Sequence, residues 1–292
     1  MSNSRQKRAA RIRMSYTGEC YEAALSGISR DFDHGLDACT PEQREFRALL
    51  ALGFLNRGPI AARLLGGWGV SELSAYTITM SPRWKRLALI TDVPHNVAGR
   101  IVQEDSSMRF PGLRMEQHTG YGSYLLRHMP TGAEMVVTDN ASGVPSKGPD
   151  SESYLRPWTT DVQLRSAELD SLKAIPAMTE NTQLLLAGIA VRFSAHDAKR
   201  KWAIGNWHWD PLQRPRNRER GYDLFAPEIQ RRLWGEGDYW ELTWAGYPYP
   251  ADLAASLTDS AIGVKGAKLS RYRETYEVTL GDTILSIRGW RS

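Results

Sequence analysis

The sequence predicts an α+β protein of two similar halves. Three observations lead there: a chain of 292 residues, a breaker-rich stretch near its middle, and the same element order on both sides of that stretch. Each half reads as a helix or helical hairpin followed by a β-α-β-β unit. The length is about twice that of an ordinary domain. Hydrophobic residues make up 41% and charged residues 24%, which is an ordinary globular composition and excludes a disordered or fibrous chain.

The chain opens on a basic stretch in which Arg5, Lys7, Arg8, Arg11 and Arg13 precede the first acid, Glu19. No apolar face runs through it, so residues 1–39 are predicted as a solvated arm and a short helix. Thr17 and Gly18 start that helix, with Tyr21, Ala24, Leu25 and Ile28 at helical spacing. Thr40-Pro41-Glu42-Gln43 then combines a cap, a first-turn proline and a capping-box Gln. The helix it begins runs through Phe46, Leu49, Leu50, Gly53 and Phe54. Asn56 to Pro59 break it, and Ile60 to Leu65 form a second, shorter helix that stops at Gly66-Gly67.

After Pro82 the period changes. Leu87 to Val93 reads as a strand, Pro94 opens a helix through Val97, Ile101 and Val102, and Leu113 to His118 alternates as a strand. Tyr121 to Met129 and Ala133 to Asp139 form a hairpin turning at Pro130-Thr131-Gly132. These elements define a first domain at 40–139. Residues 140–160 are small, polar and breaker-rich at their start, and read as a linker.

The plan restarts in a second domain, 161–292. Leu184, Leu185, Gly188, Ile189 and Arg192 repeat the spacing of Leu49, Leu50, Gly53, Phe54 and Arg57. An Arg- and Trp-rich insertion occupies 199–238, followed by a strand at Tyr239 to Ala245. Pro248 and Pro250 introduce a helix through Leu253 and Leu257. A last hairpin joins Arg271–Leu280 to Thr283–Trp290 at Gly281-Asp282. An internal duplication accounts for this order; two unrelated α+β domains with coinciding orders are the alternative.

Formal net charge is +4 with a pI near 9.0, which favours an anionic partner. Arginine outnumbers lysine throughout, as GC-rich genomes tend to produce, so part of that basicity is compositional. Cys20 and Cys39 fit neither a paired-thiolate metal knuckle nor a disulfide framework, which points to a reducing compartment. No apolar run is long enough for a membrane span, and none follows the basic N-terminus. The predicted location is the cytoplasm, with no membrane partner.

Chemistry concentrates between Lys199 and Trp244, where Trp202, Trp207, Trp209, Trp234, Trp240 and Trp244 flank Arg214, Arg216, Arg218 and Arg220. Guanidinium groups beside aromatic faces suit single-stranded nucleic acid, whose bases stack while arginines neutralise phosphate. The competing reading is that the tryptophans are core and the arginines a solvated insertion. The helical hairpin at Phe46 to Leu65 has the length of a helix-turn-helix, but Ile60, Ala61 and Ala62 are apolar where a recognition helix needs polar residues.

An enzyme would have to use scattered groups. Glu116 and His118 are predicted on one strand face, with His128 and Asp139 on neighbouring strands; His208 and Asp210 form a second pair. No spacing among them is diagnostic of catalysis or of a metal. Phosphate-loop, dinucleotide, zinc-protease and nucleophile-elbow signatures are absent, and no cofactor is implied. Gly66-Gly67-Trp68-Gly69 reads as a helix stop rather than a phosphate loop.

One resemblance concerns the N-terminus. Arg11, Arg13, Thr17, Gly18, Tyr21 and Ala24 make an Arg-x-Arg, Thr-Gly-x-x-Tyr-x-x-Ala element. It is similar to an element on many actinobacterial proteins associated with mobile or accessory genes. That element precedes unrelated bodies, so the resemblance implies a lineage and no particular activity.

Together these readings predict a bacterial accessory protein that binds nucleic acid. Arg5, Arg8, Arg11, Arg13, Arg214, Arg216, Arg218 and Arg220 would contact phosphate, with Trp207 and Trp209 as stacking platforms. Two alternatives are a protein-interaction or homo-oligomeric scaffold with a Trp-rich interface, and a small metal-dependent hydrolase or nuclease using Glu116, His118 and His128.

Overall fold

The computed structural model describes residues 2–56, 78–102, 110–119, 122–145, 158–204, 231–244 and 249–289. The predicted helix at Ile60 to Leu65, the glycine turn after it and the whole Arg214 to Arg220 run fall outside these residues.

The α+β class is observed. Among the described residues the elements run α1 (Ser2–Thr17), α2 (Tyr21–Ser26), α3 (Pro41–Leu55), β1 (Ile78–Pro82), β2 (Arg86–Thr91), α4 (Pro94–Val102), β3 (Leu113–Thr119), β4 (Ser123–His128) and β5 (Glu134–Thr138). They continue with α5 (Ser166–Lys173), α6 (Glu180–Val191), β6 (Arg231–Glu236), β7 (Tyr239–Trp244), α7 (Pro250–Thr258), β8 (Lys268–Tyr272), β9 (Thr275–Leu280) and β10 (Thr283–Gly289).

Local chemistry explains the starts and turns. Thr40 Oγ1 accepts from Gln43 N at 3.4 Å and Pro41 occupies the first turn of α3, as the sequence indicated. Thr179 caps α6 in the same way, accepting from Thr182 N at 3.2 Å. The predicted hairpin turns stand at Gly132 and Gly281, whose positive φ of 74° and 56° a side chain would strain.

Each half folds into a five-stranded mixed sheet, ordered β1-β2-β5-β4-β3 and β6-β7-β10-β9-β8. One parallel pair, β2 with β5 and β7 with β10, lies in each; all other neighbours are antiparallel. Each half is thus a β-β-α-β-β-β unit rather than β-α-β-β, the first half keeping the three strands read after its helix. β1 and β6 are added at the start of the unit, and the single strand expected at Arg271–Leu280 is two strands turning at Arg273, whose φ is +55°. The order and sense of the strands recur in both halves, which does not establish that one half was copied from the other.

The described parts of the two halves interlock. α3 packs along α6, and buried apolar residues of both halves, from Phe46, Leu89 and Val137 to Ile189, Trp240 and Ile287, form one continuous core. A residue just beyond each leading helix also bonds the outer edge of the other half's first strand. Leu233 N on β6 donates to Asn56 Oδ1 beyond α3 at 3.1 Å, and Met80 N on β1 donates to Ser194 Oγ beyond α6 at 3.0 Å. An open strand edge invites non-native pairing, so this exchange protects both sheets.

The described ends of the predicted linker also belong to the first unit. Cys20 Sγ donates to Ala141 O at 3.1 Å, Arg83 Nη2 donates to Ser142 O at 2.9 Å, and Met115 N donates to Trp158 O at 2.7 Å. Beyond them, Glu168 on α5 accepts from both terminal nitrogens of Arg114 at 2.9 and 2.8 Å, which draws α5 onto β3.

Candidate nucleic-acid interface

The N-terminal stretch is a sixteen-residue helix, not a solvated arm. Its packed side is formed by Ala10, Arg13 and Thr17, all buried, with Tyr16 partly buried against Trp202 at a centroid distance of 6.3 Å. Small and polar groups, rather than a stripe of large apolar residues, make that contact, so hydrophobic periodicity could not reveal it.

Arg13 is the lock. Its Nε donates to Glu19 Oε2 at 2.6 Å and its Nη2 to Glu19 Oε1 at 2.8 Å; further bonds run to Gly27 O, His34 O and Pro82 O at 2.8, 3.1 and 2.9 Å. Glu19 accepts in addition from Thr17 Oγ1 at 2.8 Å and from Ser81 Oγ. Burial alone would raise the Glu19 carboxyl, but the Arg13 charge and these hydrogen bonds outweigh it and hold the group below its ordinary range. Gly27 is required here: a Cβ would lie 2.0 Å from Arg13 Nη1.

Arg13 therefore leaves the set of predicted phosphate contacts, because its side chain is fully buried and its charge is consumed by Glu19. The Arg-x-Arg, Thr-Gly element thus contains a structural clasp whose acidic half, Glu19, the sequence reading did not single out. The one trace of it in the sequence is a Glu six residues after Arg13, across Gly18, a spacing that does not by itself mark a buried pair.

The rest of α1 behaves differently. Arg5, Lys7, Arg8 and Arg11 are exposed. At 100° per residue they occupy the half of the helix opposite Ala10, Arg13 and Thr17. No acid occurs in α1, so every charge on this half is positive.

Trp207, Trp209, Arg214, Arg216, Arg218 and Arg220 lie outside the described residues, as do His208 and Asp210. Of the other tryptophans in the cluster, Trp202 and Trp240 are core residues, with Trp202 Nε1 donating to Asp259 Oδ2 at 3.3 Å and Trp240 Nε1 to Gly237 O at 3.1 Å. A Trp-rich external interface made by these two is therefore excluded. Trp234 is different: it sits half-buried on the outer face of β6.

The predicted acid–base group does not assemble. A β-bulge inserts Glu116 between Met115, opposite Leu126, and Gln117, opposite Leu125, and so reverses the facing of the residues after it. Glu116 pairs with Arg127 at 2.9 Å on the outer face, while His118 stacks on Tyr124 at 4.5 Å on the inner one. His128 and Asp139 stand at opposite ends of β4, Asp139 lying beside Gly122. Among the described residues no three His, Cys, Asp or Glu side chains group closely enough to hold a metal.

His128 is a core residue. It packs against Phe46 and Phe110 at 5.1 and 5.6 Å, with Nδ1 2.9 Å from Thr131 Oγ1 and Nε2 3.2 Å from Pro111 O. Burial pushes its imidazole down to about 4 from an ordinary 6.5, and the Arg114 charge acts in the same direction. The folded value lies below the unfolded one, so the contribution to stability is complete above about pH 6.5 and is lost as the pH falls towards 4. At about 1.4 kcal/mol per unit, and with the folded imidazole half protonated at pH 4, the loss between pH 7 and pH 4 is on the order of 3 kcal/mol. Urea unfolding at pH 7 and pH 4 should show the wild type losing about that much more than His128→Gln over the interval.

Among the described residues no helix is long and apolar enough to cross a membrane. Compared with protein-family models, curated proteins and solved structures, the chain matches none.

Proposed function

We propose that this protein binds nucleic acid, in the manner of a bacterial accessory protein of mobile-element type, with the exposed half of α1 as a phosphate-contacting element. The observation that carries the reading is the contrast within one helix. Arg13 is spent on holding α1 in place, while Arg5, Lys7, Arg8 and Arg11 face solvent together with no acid among them. Fixed cations on a short rigid element neutralise a polyanion without the entropic cost of ordering a loose arm.

The test is affinity for single- and double-stranded DNA across a salt series. Each neutralised phosphate contributes about 0.9 to the slope of log affinity against log salt, so Arg5→Ala/Arg8→Ala/Arg11→Ala should flatten the slope by about 2 to 3 and weaken binding regardless of sequence. Undetectable binding at low salt, or an unchanged slope in the triple variant, would remove the proposal. Because these side chains are exposed, the variant should melt within about 0.5 kcal/mol of the wild type.

A further inference from the structure

The two sheets match in strand order, yet their outer faces differ in kind. On the first sheet the central outer pair is Ala88 opposite Val136. Both are fully buried, and the Gly143 turn packs on Ala88 and Ile90. The corresponding pair on the second sheet is Glu241 opposite Ser286. A position that is apolar in one half is polar in the other, and among the described residues a trough of about 710 Å³ lined by Glu241 lies there.

The register shows what the trough presents. One row crosses all five strands, from Tyr272 through Thr275, Arg288 and Thr243 to Arg232. It spans four strand spacings of about 4.8 Å, roughly 19 Å in all. Every charge in the row is positive, and Arg273 adds a third guanidinium, 5.3 Å over the Tyr272 ring. Trp234 and Tyr239 stand on the same face at the β6–β7 side, Trp234 opposite Glu241 and Tyr239 opposite Glu236. Tyr239 and Tyr272 are 56% and 68% exposed, large values for aromatic rings on a folded surface.

Among the described residues four acids share this face, Glu236, Glu241, Glu274 and Glu277, with Glu241 and Glu277 among those that neighbours engage. Glu241 pairs with Arg288 at 2.5 Å, and Glu277 accepts from Ser270 Oγ at 3.4 Å. Flat rings separated by guanidinium groups match a strand whose bases are unstacked and whose phosphates lie between them. A duplex fits poorly, because its bases are stacked inside and unavailable to the rings.

We infer that the outer face of the second sheet is a binding site for single-stranded nucleic acid, seating two or three bases on Tyr272, Tyr239 and Trp234, with Arg273 beside Tyr272 and Arg232 beside Trp234 as the phosphate contacts. This rests on the nucleic-acid reading above and adds a second site with its own substrate class. Sheets that read single-stranded RNA through surface aromatics stack about that number of bases.

The experiment measures fluorescence-anisotropy binding of oligothymidylate, oligouridylate and a DNA duplex to the full chain, for the wild type, Tyr239→Ala/Tyr272→Ala and Tyr239→Phe/Tyr272→Phe. The alanine pair should weaken single-strand binding about tenfold or more, with the salt slope unchanged because no charge is removed, and leave duplex binding as it was. The phenylalanine pair should bind like the wild type, since the rings remain. Comparing the two oligonucleotides identifies DNA or RNA as the preferred strand. Single-strand affinity unchanged in the alanine pair overturns this inference and leaves the α1 reading standing; a wild type that binds no nucleic acid at low salt overturns both.

Discussion

Arg13→Ala is expected to destabilise the protein by about 3–5 kcal/mol, the cost of leaving a buried carboxylate without its partner. Glu19 would remain enclosed with only Thr17 and Ser81 hydroxyls, and the carbonyls of Gly27, His34 and Pro82 would lose a common donor. Removing both charges should not restore stability, because an apolar pair such as Arg13→Met/Glu19→Leu still orphans those three carbonyls. Thermal unfolding of the two variants measures this. If the double variant recovered wild-type stability, the clasp would be an ion pair alone and not the hub that joins α1, the α2 turn and β1. Loss of the clasp should also free α1, so proteolysis after Arg5, Lys7, Arg8 and Arg11 should accelerate in both variants.

Arg192→Ala is expected to cost a similar amount, about 3–5 kcal/mol, for a different structural reason. Its guanidinium is fully buried just past α6. It donates twice to Asp37 at 2.7 Å and also to Ile262 O and Gly188 O, so one side chain ties the segment before α3 to the loop after α7. Arg192→Lys should recover little, because an ammonium cannot reproduce the planar fork that meets both carboxylate oxygens and a carbonyl together. Urea unfolding of both variants checks this, and a lysine variant within about 1 kcal/mol of the wild type would show that charge, not geometry, is what the site needs. Gly188 belongs to the same site, since a Cβ there would lie 2.8 Å from Val264 Cγ2 and 3.2 Å from Arg192 Nη1.

The repeat of Gly188 and Arg192 at the spacing of Gly53 and Arg57 was legible in the sequence, and it marks two helices that do pack on one another. The strands opening each sheet were not legible. β1 ends in a proline, and β6 reads Arg-Arg-Leu-Trp-Gly-Glu with Leu233 as the one residue of that strand in the core, so neither shows clear alternation. Each is hydrogen-bonded at its outer edge by a residue just past the other half's leading helix, a contact made across more than a hundred residues of chain. The Glu116 bulge escaped for a related reason. An added residue changes which face a side chain takes, yet it leaves the pattern of residue types looking like an unbroken strand.

What the sequence determined by itself is whatever a few neighbouring residues can decide: helix starts at Thr40-Pro41 and Pro250, turns at Gly132 and Gly281, the α+β class, and an uninterrupted basic run at the N-terminus. The tertiary structure alone decided which arginines of that run are available to a partner. Arg11 and Arg13 are alike in type and two positions apart, but Arg13 meets Glu19, Gly27, His34 and Pro82 while Arg11 faces water. A guanidinium is free or spent according to the carboxylates and carbonyls brought to it from distant parts of the chain, and only the packed fold sets those distances.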